Sequence, residues 1–347
     1  MHPIIRPEMK NKIFKELWIY FLMVVLVTAC RQKTSTLNEN IIDGTGFLKD
    51  TVITGSFPEF ITPTVSFYLL TNNGIPEINE NNYQLKVHGA LNLEKSFTLK
   101  ELRDRKMINK TVTFECIGNN PIGKLYGNAM WTGFSIYDLI SELGLKSGAY
   151  AVKYTCQDGY FMTNTISELS NSNIIGALYM NMETLPVKYG FPLKIIYPGY
   201  HGVRQPGWVT DIEVLYTEPA DYWSGSFWKA KSPIGVTSKL FYPMEQTIIQ
   251  LGKTIQIAGA AYGSRRISEV QLTMDNGISW NSADIIKKST EDYVWVFWRY
   301  NFTPAATGNY FVKVRATDTE GNVQIENDND LSDGYNSWPS VVISVGK

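Results

Sequence analysis

The chain has 347 residues, room for two domains at the usual ~100–200 residues each, and with 44% apolar and 19% charged residues it is no disordered polymer. Thirty-two basic side chains against 33 acidic ones leave a net charge of −1, without the basic footprint that nucleic acid requires of a partner. Three Cys and three His are too few for a zinc module or a disulfide-dense scaffold.

At the amino terminus Arg6, Lys10, Lys12 and Lys15 precede an apolar run over 17–27. A basic flank before a run shorter than the ~20 residues of a spanning helix predicts a secretory signal. The run ends in Leu26-Val27-Thr28-Ala29-Cys30, which resembles the bacterial lipobox. Residues 1–30 are therefore expected to be a lipoprotein signal peptide with Cys30 as the lipid acceptor. An uncleaved membrane anchor is the alternative. Either one puts the rest of the chain on the periplasmic side of a bacterial membrane. Residues 31–55, polar and rich in Thr, Asn and Gly, read as a flexible tether.

Two grammars follow. Over 56–232 the pattern is mixed. Tyr83 to His88 and Lys110 to Glu115 alternate polar and apolar, as half-buried strands do. Residues 98–105 and 135–143 carry helical spacing, with Thr98 and Ser135 as N-caps. Over 233–347 the reading is nearly all strand, at 254–260, 267–274, 295–302 and 309–317. Asp275-Asn276-Gly277 and Glu320-Gly321-Asn322 supply the turns. The expected fold class is α+β: a mixed α/β domain followed by an all-β sandwich of immunoglobulin type, lacking a Cys pair between its sheets.

Cys116 ends one of these strands and is followed by Ile117-Gly118-Asn119-Asn120-Pro121. A thiol at a strand end beside a glycine turn suits a reactive group or a soft metal. The residues alone equally allow a buried free thiol or a disulfide with Cys156.

The segment 113–119 resembles the cysteine segment of the sulfite oxidase family of molybdenum enzymes. Asn128 to Gly133 with Tyr137-Asp138-Leu139-Ile140 is similar to the segment that follows it there. Met180 to Pro186, running into Gly190-Phe191-Pro192-Leu193-Lys194, is similar to the family's central signature. Tyr197 to Arg204, with Trp208 and Ile212-Glu213-Val214, is similar to its glycine–arginine segment. In the β region, 267–280 and 315–324 resemble its carboxy-terminal dimerisation domain. The order is collinear from about residue 67 to the end.

The resemblance implies a molybdopterin cofactor in the first domain, with the Cys116 thiolate bound to molybdenum. A soft thiolate suits a metal that already carries the pterin sulfurs. It also implies polar contacts to pterin and phosphate, with Lys194 and Arg204 the cations for them; either is otherwise an ordinary surface charge. Arg204 is a catalytic candidate beside Cys116. His201 either borders the pterin or satisfies a backbone carbonyl. Asn119 either orients the cysteine loop or caps its turn. Trp131 and Trp208 wall the pocket or fill the core, and Asn72, Tyr189 and Trp208 complete the cofactor candidates.

The departures concern charge. Leu70, Thr71 and Asn72 stand where the family has an Arg-Asn-His element, and Asn120 and Pro121 where its cysteine loop has two arginines. Leu178 replaces a tyrosine, Tyr189 a histidine, and Gly207 a lysine. Sulfite is a small dianion whose pocket needs cations and donors. The expected function is therefore an exported oxidoreductase performing oxo transfer on a small molecule other than sulfite, one that is less charged and sulfoxide-like. With no haem or iron–sulfur motif, electrons pass to a separate redox protein or membrane component. A homodimer through the β domain is the implied assembly. Two other classes compete: a degenerate, non-catalytic binding or scaffolding lipoprotein, and a carbohydrate-binding lipoprotein that exposes the aromatics of 293–298. For that run, alternation predicts one buried subset and one that is solvated or at a subunit contact.

Overall fold

The computed structural model describes residues 52–53, 56–171 and 174–347. The signal peptide, Cys30 and most of the expected tether lie outside them. Val52–Ile53 form a short strand that pairs in parallel with Thr254 and Ile255.

The first half is built on two five-stranded sheets. One runs Lys194–Ile196, Ile175–Met180, Tyr126–Ser135, Ile108–Glu115, with Glu183–Thr184 beside Ile175–Met180. The other runs Lys95–Thr98, Gln84–Gly89, Val209–Leu215, Ala151–Cys156, Phe161–Thr165, and its one parallel pair joins Gln84–Gly89 to Val209–Leu215. The predicted helices form at Leu99–Arg103 and Ile136–Glu142. Thr98 and Ser135 accept from the amides of Glu101 and Asp138, and Glu101 completes a capping box on Thr98. Leu99, Leu102, Ile136, Leu139 and Ile140 turn inward and share a core with Leu85, Val87, Tyr154 and Ile212.

The second half is two further five-stranded sheets closed on a common core of Ile255, Ile257, Val270, Leu272, Trp298, Val312, Val314 and Ile343. In the Asp275–Gly277 turn both Asn276 and Gly277 have positive φ, 61° and 98°, as its sequence predicts.

The run 293–298 departs from expectation. Trp298 and Val296 enter the β core, while Trp295 and Phe297 pack with Ile234, Tyr262, Phe57, Phe60 and Tyr126. Both faces are buried, so the run neither offers a sugar platform nor shows a solvated face. Its outer face is the seam between the two halves. There the Thr113 amide donates to the Tyr293 carbonyl (2.8 Å) and the Trp295 amide to Thr113 Oγ1 (2.8 Å).

The same seam holds a buried ion pair. Lys239, on the strand Thr237–Tyr242, places Nζ 2.7 Å from Glu115 Oε1, with the two side chains 1% and 2% exposed. The ammonium also donates to the Asn120 carbonyl at 3.1 Å. Removing one partner of such a pair leaves the other charge buried and unpaired. Lys239→Met is expected to cost about 3–5 kcal/mol, and the double change Glu115→Gln/Lys239→Met less than that. Chemical denaturation checks this: a K239M midpoint equal to wild type would show that the pair does not hold the seam.

Candidate active site

The strand Ile108–Glu115 pairs along its length with Tyr126–Ser135, and the cysteine loop connects them. Three hydrogen bonds fix that loop. The Asn119 amide N–H donates to the Cys116 carbonyl (2.9 Å), Asn119 Nδ2 donates to Glu115 Oε1 (2.7 Å), and the Leu125 amide donates to Asn119 Oδ1 (2.9 Å). Asn119 thus orients the cysteine loop, one of its two expected roles, and its side chain does not line the cavity described next.

Cys116 opens on a cavity of about 120 Å³. Its walls come from five groups of residues: Phe67 to Asn72; Phe114 with Trp131; Asp158 with Tyr160; Lys188, Tyr189 and Lys194; and Gly202 and Val203 with Gln205 to Trp208. Phe114 and Trp131 stack with ring centroids 5.2 Å apart. In the last of these groups Gly207 meets Gly190 backbone to backbone: a Cβ on Gly207 would lie 2.7 Å from Gly190 Cα, and Gly190 has φ of 116°.

Five of the expected residues, Asn72, Cys116, Tyr189, Lys194 and Trp208, come together in this cavity. Trp208 Nε1 donates to the Val187 carbonyl (2.7 Å), and the Tyr189 hydroxyl donates to the carbonyls of Thr64 and Phe67 (2.9 and 2.6 Å). Tyr189 therefore buttresses the segment carrying the opposite wall.

Arg204 and His201 are placed elsewhere. The Arg204 guanidinium lies 4.5 and 4.8 Å from the ring centroids of Tyr197 and Tyr200, and Nη2 donates to Glu168 Oε1 (3.2 Å). A buried cation needs an anion and polarisable rings, and Arg204 has both inside the first half. It is not among the residues lining the cavity, although its neighbours Val203 and Gln205 are, and its Nε has no partner among the described residues. His201 is buried and its Nε2 meets the Asp333 carbonyl of the second half at 3.1 Å. Of its two expected roles, it has the carbonyl one. Leu178 lies in the core, with Tyr179 packed against that core.

Cys116 and Cys156 are free thiols, which removes the disulfide alternative. Burial pushes the Cys116 thiol up to about 11, with the Gly118 amide opposing and the Glu115 carboxylate adding. Burial likewise pulls Lys194 down to about 8, and its ammonium donates to the Gln205 carbonyl (2.7 Å).

These groups fit a pterin-bound metal. Among the described residues no cluster of three or more His, Cys, Asp or Glu can cage an ion. A lone thiol suits a metal that arrives with other ligands already in place. A buried amine whose charge is disfavoured gains most from an entering phosphate.

Sequence reasoning missed Tyr68, Asp158, Tyr160 and Lys188 on the cavity wall and Lys239 behind it. For Tyr68 a signal existed, since it lies two residues before the segment 70–72 already singled out. For Lys239 none did.

Two family models match in sequence order: an oxidoreductase molybdopterin binding domain over residues 72–223, and a Mo-co oxidoreductase dimerisation domain over 228–344. Mitochondrial sulfite oxidase of Drosophila melanogaster is 26% identical over 322 residues, covering 77% of this chain and 56% of that protein. The chain thus spans little more than half the length of this relative. Sulfite oxidase of Arabidopsis thaliana is 24% identical, covering 77% of this chain and 83% of the plant protein. The structure of the sulfane dehydrogenase SoxCD from Paracoccus pantotrophus superposes with a TM-score of 0.75, covering 91% of this chain and 90% of the other at 17% identity. With both halves matched in order and the fold shared over nine-tenths of its length, the chain belongs to the sulfite oxidase family of molybdopterin-dependent oxidoreductases, as a divergent member.

Proposed function

We propose that the chain transfers an oxygen atom to or from a small uncharged molecule of sulfoxide type, at a molybdenum centre ligated by Cys116, and that sulfite is not its substrate. The observation that carries this is the charge of the cavity. Its charged lining residues are Lys188, Lys194 and Asp158, and no arginine is among them. A bound cofactor phosphate brings a charge of about −2, which exceeds what those side chains offer. No cation is left over for a dianionic substrate. Leu70, Thr71, Asn72 and Gly207, all on the wall, are the positions where a charged pocket would have its donors.

In this reading Cys116 would be the thiolate that holds the metal, its proton lost to solvent. Lys194 and Lys188 would hold the phosphate, while Trp131 and Phe114 would exclude water from the cysteine end. The cofactor, when bound, supplies two-electron oxygen-atom transfer. The electrons are exchanged with a separate redox protein or membrane component. The second half, which we read as an immunoglobulin-like dimerisation module, both closes the seam and forms a homodimer.

Protein made in a host that synthesises the cofactor is expected to hold about one molybdenum per chain; metal-free protein would favour the non-catalytic alternative. Cys116→Ser is expected to lower turnover by more than about 100-fold, beyond the loss typical of outer-shell changes at metal sites, with the unfolding midpoint retained. In steady-state assays sulfoxides are expected to turn over efficiently and sulfite poorly. Efficient sulfite turnover would refute the substrate assignment.

We also propose export and anchoring through Cys30, on the strength of the basic flank, apolar run and Leu26-Val27-Thr28-Ala29-Cys30 ending. Mass spectrometry of the membrane fraction is expected to find the mature chain beginning at an acylated Cys30. An uncleaved chain with an unmodified Cys30 thiol would sink the idea.

A further inference from the structure

The cavity holds three tyrosines, Tyr68, Tyr160 and Tyr189, and a phenol has one proton to donate. The Tyr160 hydroxyl donates to the Val203 carbonyl and accepts from Trp223 Nε1 (2.8 Å). That of Tyr189 is committed to the carbonyls of Thr64 and Phe67. Of the other donors on the wall, Trp208 Nε1 is engaged with Val187 and Gln205 Nε2 with the carbonyls of Tyr197 and Tyr200 (2.8 and 3.2 Å), while the buried Trp131 Nε1 has no partner among the described residues. The Tyr68 hydroxyl alone of the three phenols has no hydrogen-bond partner among the described residues.

Its position is well defined. The ring stacks on Phe67, with centroids 5.3 Å apart and planes 20° from parallel, and Phe67 is itself held by Tyr189. The hydroxyl lies so close to Gly202 that a Cβ there would come within 2.7 Å of it, and the same point is 3.7 Å from the Glu115 carbonyl. The phenol tip therefore sits between the 202–204 turn and the end of the strand that delivers Cys116. A donor that is fixed, unpartnered and beside the strand end that leads into the reactive cysteine is what an oxygen-bearing ligand requires.

We propose that Tyr68 is a catalytic residue whose O–H donates a hydrogen bond to the oxygen atom of the substrate at the Cys116 end of the cavity. This rests on reading the cavity as an oxygen-transfer site, and it names the group that recognises the transferred oxygen. Gly202 then has a matching role, since only a residue without a Cβ leaves the hydroxyl in place.

The test uses molybdenum-loaded protein, with dimethyl sulfone as an inert oxygen-bearing probe and dimethyl sulfoxide as substrate. Tyr68→Phe is expected to keep the molybdenum content and unfolding midpoint while weakening sulfone affinity, by calorimetry, about 3- to 10-fold, the span of one ordinary hydrogen bond. KM for the sulfoxide should rise by a similar factor. Gly202→Ala, which retains the hydroxyl but displaces it, is expected to show the same loss. Unchanged affinity and KM in fully loaded Y68F would overturn the proposal, as would loss of molybdenum from that variant, which would make Tyr68 a cofactor contact. Loaded wild-type protein that neither binds the sulfone nor reduces the sulfoxide would overturn the functional reading itself, and this inference with it.

Discussion

Glu115 is a carboxylate buried one residue before the cysteine, and much of the arrangement at the site follows from how its charge is met. Lys239 of the second half supplies the counter-charge and Asn119 supplies a hydrogen bond. The same two residues also hold the loop, Lys239 through the Asn120 carbonyl and Asn119 through the carbonyl of Cys116 and the amide of Leu125. Satisfying one buried anion thus fixes the backbone on both sides of Cys116. Such a pair adds little net stability over a well-packed apolar substitute. What it confers is register: the thiol reaches the cavity at one height only when both halves are in place.

That coupling explains why the second half is more than an appendage. Thr113 bonds to the 293–295 segment through both its backbone amide and its side-chain hydroxyl, Trp295 and Phe297 are buried against Phe57, Phe60 and Tyr126, and His201 meets Asp333. The strand that ends in Cys116 is therefore gripped from outside its own sheet. A site that must hold a metal ligand in a fixed geometry benefits from rigid support behind the ligand.

Much of this was legible from residue order, and the rest failed for identifiable reasons. Gln84–Gly89, a strand with a single buried face, declares itself by alternation, and both helix starts by their caps; Ile108–Glu115 alternates in sequence in the same way but buries both faces over 112–115, where the second half covers Thr113 and Glu115. Cys116 and the glycine-rich turn before Trp208 were recognisable because a local motif carries them. Arg204 misled because a cation in a Gly- and Pro-flanked turn looks like an anion site. Its partner Glu168 lies 36 residues earlier, on a short helix with no signal pointing to it. The 293–298 run misled because alternation distinguishes two faces but not what covers each. Here a second domain covers the outer one. Lys239 was invisible for the same reason: only the folded seam reveals that a charged residue in a half-apolar strand is fully enclosed.

The cavity's electrostatics connect these elements to chemistry. The buried Lys194 holds its proton less firmly than a solvated lysine, so an anion near it is stabilised by more than the same contact would be at the surface. That favours the permanent, highly charged phosphate of a cofactor over a transient substrate. With those cations committed, selectivity for the reacting molecule falls to the rest of the wall, where Phe67, Phe114 and Trp131 are aromatic and neutral side chains stand at 70–72. A doubly charged ligand would lose its hydration there and gain few donors in return. A neutral molecule with one strong acceptor atom loses far less, and a single well-placed hydroxyl is enough to orient it. The division of labour is therefore chemical: cations for the cofactor, and a neutral wall on which the Tyr68 hydroxyl is left open for the reacting molecule.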